Sequence, residues 1–140
     1  MGAINNAFNQ AAGAFAVAGR MIGHEKESAI NRGEAALNED IELAAQDLAE
    51  KNSFNENFEK AKNATKDINT LKEMSSNPNA NGIKTAQDWR AHTQLLKQAL
   101  DDREAARIAM NAASSKRQAI KEMRERAAKE IAKGNKWREF

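Results

Sequence analysis

Apolar side chains recur along most of this chain at intervals of three and four residues, which is the spacing of one face of an α-helix. Residues 24–74 follow this pattern without a capped break, and residues 86–134 follow it again. The segment between them, residues 75–82 (SSNPNANG), holds the only proline, which disfavours helix at the preceding residue. The pattern predicts an all-α fold of two long helices joined at a turn near Asn77–Gly82.

The same pattern divides the chain into five segments. An apolar Gly/Ala/Asn-rich segment covers residues 1–23, an acidic long helix 24–74, a turn 75–85, a basic long helix 86–134 and a tail 135–140. Thr85 is the expected N-cap of the second long helix, with Asp88 three residues on. Gly134 is the expected C-terminal stop, since glycine is common just after the last helical residue.

We expect the larger apolar side chains to pack in a seam between the long helices. The predicted seam residues are Ile30, Leu37, Ile41, Leu48, Phe58, Ile68, Trp89, Leu96, Met110, Ile120 and Ile131. Arg103, Arg117 and Arg124 interrupt the second stripe, and much of the 41% apolar content is alanine, which buries little area. The seam therefore looks insufficient as an isolated core, and we expect the helices to need neighbours, most simply a second copy of the chain.

Charge is distributed unevenly along the sequence. Residues 24–74 hold 7 basic and 12 acidic side chains, net −5, whereas residues 103–140 hold 11 basic and 5 acidic ones, net +6. A fold-back about a turn centred near residue 79 would bring Glu34, Asp40 and Asp47 opposite residues 111–124. This pattern favours an antiparallel hairpin, although an extended coiled-coil rod pairing with other subunits would use the same complementarity.

Residues suited to catalysis or metal binding are sparse. There are no cysteines, and the two histidines have one possible ligand each at helical spacing, Glu27 near His24 and Asp88 near His92. Two ligands fall short of a helical di-metal site, and no nucleophile elbow or phosphate-cradling glycine loop is present. We therefore expect no enzyme activity, no catalytic residues, no bound metal, no cofactor and no small-molecule substrate, with both histidines on the surface or in the seam.

The basic residues after position 102 could contact phosphate. The set we select is Arg107, Lys116, Arg117, Lys121 and Arg124. Glutamates lie three or four residues from several of these bases, which is the spacing of ion pairs within one helix. Such pairs would reduce the positive charge that the helix presents to DNA. The expectation is nonspecific contact with nucleic acid, without sequence reading.

Residues 1–23 differ from the rest because Arg20 is their only charged side chain. One apolar stripe at helical spacing is formed by Ile4, Phe8, Ala11, Phe15, Ala18 and Ile22. The larger apolar side chains of the segment give the candidate membrane- or partner-engaging residues: Ile4, Phe8, Phe15, Val17 and Ile22. Alanines and glycines at four-residue intervals would let helices approach closely in apolar surroundings. Two interpretations stay open: direct action on a membrane, and an N-terminal helix buried in an oligomer or against a partner.

The opening residues MGAINNAFNQAAGAFAVAG, followed by long charged amphipathic helices, resemble phage DNA-ejection proteins. They are similar in style to the DNA pilot (minor capsid) proteins of microviruses, especially the gokushovirus type. The resemblance implies a multicopy virion component whose helices form a coiled-coil bundle or tube. It also implies an N-terminal segment that engages the host envelope during genome delivery.

A helical hairpin without cysteine is also the design of secreted WXG-type proteins, but their turn carries Trp-x-Gly, whereas Trp89 lies inside the second helix.

The leading hypothesis is therefore a phage virion protein involved in genome delivery, with other virion proteins and copies of itself as partners. It would be located in the particle and, during infection, at the host envelope. The alternative is an architectural scaffold or capsid-associated adaptor with no membrane step.

Overall fold

The computed structural model describes the backbone of residues 2–139 and the side chains of residues 22–139. Helix α1 runs from Gly2 to Ser76, and helix α2 runs from Ala86 to Arg138. A single 3-10 turn at Asn79–Asn81 lies between them, and the described residues include no strand. The predicted all-α fold of two long helices joined by a short turn is confirmed.

The turn forms where proline and glycine were expected to stop the helix. The Pro78 carbonyl accepts hydrogen bonds from the backbone N–H of Asn81 at 3.1 Å and of Ile83 at 2.9 Å. Gly82 has φ 76°, a left-handed conformation that glycine adopts without steric cost. Ile83 is only 5% exposed, so the turn also contributes an apolar side chain to the interior.

Helix α2 begins with the predicted cap. The backbone N–H of Asp88 donates to Thr85 Oγ1 at 3.1 Å, and Asp88 Oδ2 accepts from the backbone N–H groups of Lys84 and Thr85, both at 3.0 Å. These bonds satisfy donors that the first turn of a helix otherwise leaves open. The same bonds hold the pKa of the Asp88 carboxyl below its ordinary value, because they stabilise the charged form.

The chain forms two compact units, and both long helices contribute to each. The first unit combines Met1–Ala44 with Lys121–Phe140, and the second is Ala45–Ile120. Within each unit the helices pair antiparallel: Arg32 approaches Glu130 and Asp40 approaches Arg124 in the first, while Asp47 approaches Arg117 in the second. Side-chain contacts across helices therefore come from residues far apart in sequence.

Small side chains fill the seam between the helices. On α2 the buried positions recur every seventh residue from His92 to Gly134. They are His92, Ala99, Ala106, Ala113, Ile120, Ala127 and Gly134. On α1 the buried residues of the first unit are Ala29, Gly33, Ala36 and Leu43, and those of the second are Ala64 and Ile68. A strict seven-residue repeat is the pattern of a coiled-coil seam.

The predicted seam was wrong for five of its eleven residues. Ile68 and Ile120 are buried, and Ile30, Leu96, Met110 and Ile131 are half-buried. The exposed ones are Leu37, Ile41, Leu48, Phe58 and Trp89, between 41% and 61% exposed. The prediction followed the largest apolar side chains, whereas the inner seam of α1 is built mainly of small residues, with Leu43 and Ile68, and of aspartates that bind the arginines of α2.

Gly33 and Gly134 mark a close approach of the two backbones in the first unit. A Cβ atom at Gly33 would lie 3.2 Å from the Glu130 carbonyl oxygen and from the Gly134 Cα, and one at Gly134 would lie 3.1 Å from the Ala29 carbonyl oxygen. Gly134 was predicted to end α2, and that was wrong because the helix continues to Arg138. Gly134 allows the two helices to pack closely and does not end α2.

Candidate functional site

Two arginine–aspartate pairs occupy the seam one heptad apart. In the second unit Arg117 Nε donates to Asp47 Oδ1 at 2.9 Å, and in the first unit Arg124 Nε donates to Asp40 Oδ1 at 2.8 Å. Each arginine also directs a second nitrogen at the other carboxylate oxygen, which is the two-pronged geometry that favours arginine over lysine. The predicted meeting of acidic and basic helix halves is confirmed in these pairs.

The predicted register was wrong by about six residues. It placed Asp47 opposite Asn111 and Asp40 opposite Gln118, whereas their partners are Arg117 and Arg124. Both pairs centre the fold-back at residue 82, whereas the prediction centred the turn near residue 79. The helix ends at Ser76 and Ala86, whose midpoint is residue 81, account for most of this difference.

These pairs alter the titration of their members. The hydrogen bond from Arg124 holds the pKa of the Asp40 carboxyl below its ordinary value. The hydrogen bond to Asp47 raises the pKa of the Arg117 guanidinium. Both shifts favour the charged forms, so the seam remains ionic at neutral pH.

Four of the five selected phosphate contacts are engaged with carboxylates of their own chain. Arg117 and Arg124 bind the seam aspartates, Lys116 Nζ lies 3.6 Å from Glu50 Oε1, and Arg107 Nε donates to Glu104 Oε2 at 2.9 Å. Lys121 is exposed and makes no ion pair with a described residue. Much of the basic charge predicted for phosphate is therefore used to hold the hairpin together.

A different set of bases is turned to solvent in the first unit. We call Arg126, Lys129, Lys133 and Lys136 the basic face; their spacings of three, four and three residues place them on one side of α2. All four are exposed, and with the described residues only Lys133 forms an ion pair, at 3.5 Å from Glu130. All four belong to the bases after position 102 that were expected to be able to contact phosphate, but none of them was selected. Their spacing, offset from the seven-residue repeat of the seam, is the signal that distinguishes them.

The two histidines lie in different surroundings. His92 is 7% exposed, and its Nε2 lies 2.7 Å from the Leu71 carbonyl oxygen of the facing helix. The ring of Trp89 meets it edge-on at 6.0 Å between centroids. His24 is exposed. No group of three or more His, Asp or Glu side chains converges on a metal-binding geometry among the described residues.

Shallow grooves flank the seam of the second unit. One, of about 420 Å³, is lined by both helices and includes Lys60, Asp67 and Asp102. A neighbouring one, of about 290 Å³, shares the two aspartates and adds Leu71 and Leu95. Both aspartates are exposed at the groove rims, where a carboxylate is solvated. These grooves therefore differ from the enclosed apolar pockets typical of small-molecule sites.

The candidate membrane- or partner-engaging residues Ile4, Phe8, Phe15 and Val17 lie outside the residues whose side chains are described. Ile22, the fifth, is 58% exposed. The backbone of α1 continues without a break across the predicted segment boundary at residue 23. Within the described part of the chain, no helix has an apolar stretch long enough to cross a bilayer.

Comparison with known proteins gives no match: no protein-family model, curated protein or solved structure is similar to this chain.

Proposed function

We propose that this chain is a structural protein of a phage particle that takes part in genome delivery, as DNA pilot or ejection proteins do. In this proposal it self-associates through its helices, and residues 1–23 engage a membrane or a partner. The observation that carries the proposal is the continuity of α1, which joins a nearly uncharged N-terminal segment directly to a charged helical hairpin. A continuous helix would couple whatever the segment binds to the charged part of α1.

The basic face supports contact with the genome. Its exposed cations could neutralise phosphates along a nucleic-acid backbone, which gives affinity without sequence reading. The seam arginines are unsuited to this role because each already binds an aspartate. In this proposal, copies of the chain and other virion proteins are the further partners, and the particle and the host envelope are the locations.

A purely architectural role, as a scaffold or capsid-associated adaptor with no membrane step, is the second candidate. It is favoured by the large apolar side chains that α1 leaves exposed within the described hairpin, among them Leu37, Ile41 and Leu48. Such side chains suit protein partners as well as a role in delivery. In both candidates the chain acts by assembly and has no catalytic function.

Dye leakage from liposomes separates the two candidates. The full chain is compared with a Phe8→Asp/Phe15→Asp variant, which places charge on the apolar stripe, and with an Asn5→Asp/Asn9→Asp control, which adds the same charge mostly off that stripe. We expect leakage from the wild type and the control, and at least tenfold less from the phenylalanine variant. Equal leakage from all three, or none from any, would remove the membrane step and leave the architectural role.

A further inference from the structure

Helix α1 carries a second apolar stripe outside the seam. We call Ile30, Leu37, Ile41 and Leu48 the outer stripe. Leu37, Ile41 and Leu48 are 48%, 61% and 58% exposed, and Ile30 is half-buried. Their spacings of seven, four and seven residues keep them on one side of the helix, as in the seam of a coiled coil. At 3.6 residues per turn, this side lies roughly a third of a turn from the buried positions Ala36 and Leu43.

The order of these spacings is symmetric about its midpoint. Seven, four and seven reads the same in both directions, with the centre at residue 39. Two antiparallel copies of α1 related by a two-fold axis at that level would therefore place Leu37 against Ile41 of the second copy, and Ile30 against Leu48 of the second copy. An isologous contact requires such self-complementarity, since each copy presents the same surface.

Charge favours the same register. An antiparallel pair centred at residue 39 places Glu27 of one copy beside Lys51 of the other, once at each end of the stripe. Both side chains are exposed, and neither forms an ion pair with a described residue. A parallel pair in register would instead bring Glu27 beside Glu27 and Lys51 beside Lys51, which is repulsive.

The N-terminal segment of the same chain is a poor occupant for this stripe. The backbone of α1 is helical from Gly2 onward, so the segment cannot double back onto residues 30–48 while that helix persists. We propose that the outer stripe is a homodimer interface at which α1 of a second copy packs antiparallel. This inference rests on the self-association in the proposed function, and it adds the surface, the register and the direction.

Sedimentation velocity over a concentration series tests the stripe. A Leu37→Gln/Ile41→Gln variant is compared with a Leu95→Gln/Leu100→Gln control, whose leucines are 59% and 40% exposed on α2. We expect the wild type and the control to dimerise, and the stripe variant to dimerise at least tenfold more weakly with unchanged helix content by circular dichroism. A monomeric wild type, or a stripe variant that dimerises as well as the control, would overturn the proposal.

Disulfide trapping tests the direction, because the described residues contain no cysteine and the sequence has none. Leu37→Cys and Ile41→Cys proteins, one carrying a size tag, are mixed and oxidised. Antiparallel packing predicts that the mixed 37–41 disulfide exceeds both symmetric products. A predominance of 37–37 and 41–41 disulfides would show a parallel pair and overturn the register.

The flanking charges give a third readout. Lys51→Glu alone places two acids side by side at each end of the stripe and should raise the dimer dissociation constant about tenfold. The double swap Glu27→Lys/Lys51→Glu should restore it, whereas Glu42→Lys, exposed and away from the stripe, should not affect it. Failure of the double swap to restore dimerisation would contradict the pairing. These assays contain no membrane, so they can fail while liposome leakage persists, and the reverse also holds.

Discussion

Gly33 and Gly134 show how a single residue type sets the distance between two helices. Glycine inside a helix normally costs up to about 1 kcal/mol relative to alanine, so two of them in long helices need a packing reason. The reason is that each faces backbone of the other helix in the first unit, where a Cβ would lie at 3.1–3.2 Å. Backbone atoms cannot rotate away as a flexible side chain can.

Gly33→Ala should therefore destabilise the hairpin even though alanine is the better helix former. The matched control is Gly23→Ala, where an added Cβ meets nothing within 4 Å and stability should rise by up to about 1 kcal/mol. Urea unfolding followed by circular dichroism measures both. If the two substitutions stabilise equally, the close approach imposes no steric cost.

Ile68 is the residue on which the second unit depends most for apolar burial. It is 1% exposed, while four of the six other buried seam residues of that unit are alanine: Ala64, Ala99, Ala106 and Ala113. Ile68→Ala should cost about 2–4 kcal/mol, combining lost transfer energy with a cavity. Leu95→Ala removes a side chain that is 59% exposed and should cost less than about 1 kcal/mol. Similar losses at both positions would indicate that Leu95 is buried in solution.

At the scale of elements, the two helix boundaries at the turn could be predicted because their signals are local, whereas the expected stop at Gly134 was wrong because the helix continues to Arg138. Pro78 ends α1 because its ring fixes φ and disfavours helix at the preceding residue, and Gly82 permits the left-handed turn that follows. Thr85 with Asp88 starts α2 through hydrogen bonds within four residues. The face of α1 that packs against α2 could not be predicted from local signals. Helix α1 has two apolar stripes, and only its contacts with α2 decide which of them is buried. Sequence reasoning chose Leu37, Ile41 and Leu48 by size, whereas Arg117 and Arg124 select the stripe with Asp40 and Asp47.

Acid should weaken the hairpin through its carboxylates. The pKa values of Asp40 and Asp88 are lowered in the folded chain, so their stabilising contribution is present above an ordinary value of about 4 and is lost as pH falls through the lowered values. An Asp40→Asn/Asp88→Asn variant should therefore lose less stability than the wild type between about pH 5 and pH 2.

The control for this acid effect is Asp67→Asn/Asp101→Asn, two exposed aspartates that form no ion pair with a described residue. Thermal unfolding at each pH gives the comparison, and the control should follow the wild type. An Asp40→Asn/Asp88→Asn variant with the wild-type acid dependence would place the responsible carboxylates elsewhere.

At the scale of the whole molecule, net charge is a poor guide to the charge that remains for a partner. Residues 103–140 carry net +6, but Arg117, Arg124, Arg138 and Lys116 are bound to acids of α1. Their charges hold the hairpin together, so a polyanion could use them only by competing with that structure. The basic face is different because Arg126, Lys129 and Lys136 make no ion pair with a described residue.

For the proposed contact with nucleic acid, this difference predicts which lysines matter most. Lys129→Gln/Lys136→Gln should weaken binding to duplex DNA at low salt, and Lys62→Gln/Lys66→Gln, an equal charge change on exposed positions of α1, should have a much smaller effect. Each phosphate contact contributes about 0.9 to the slope of log affinity against log salt, so the first variant should lose roughly 1.8 of that slope. Fluorescence anisotropy between low and physiological salt measures it. Equal losses from both variants would mean that overall charge governs binding and that the basic face has no special role.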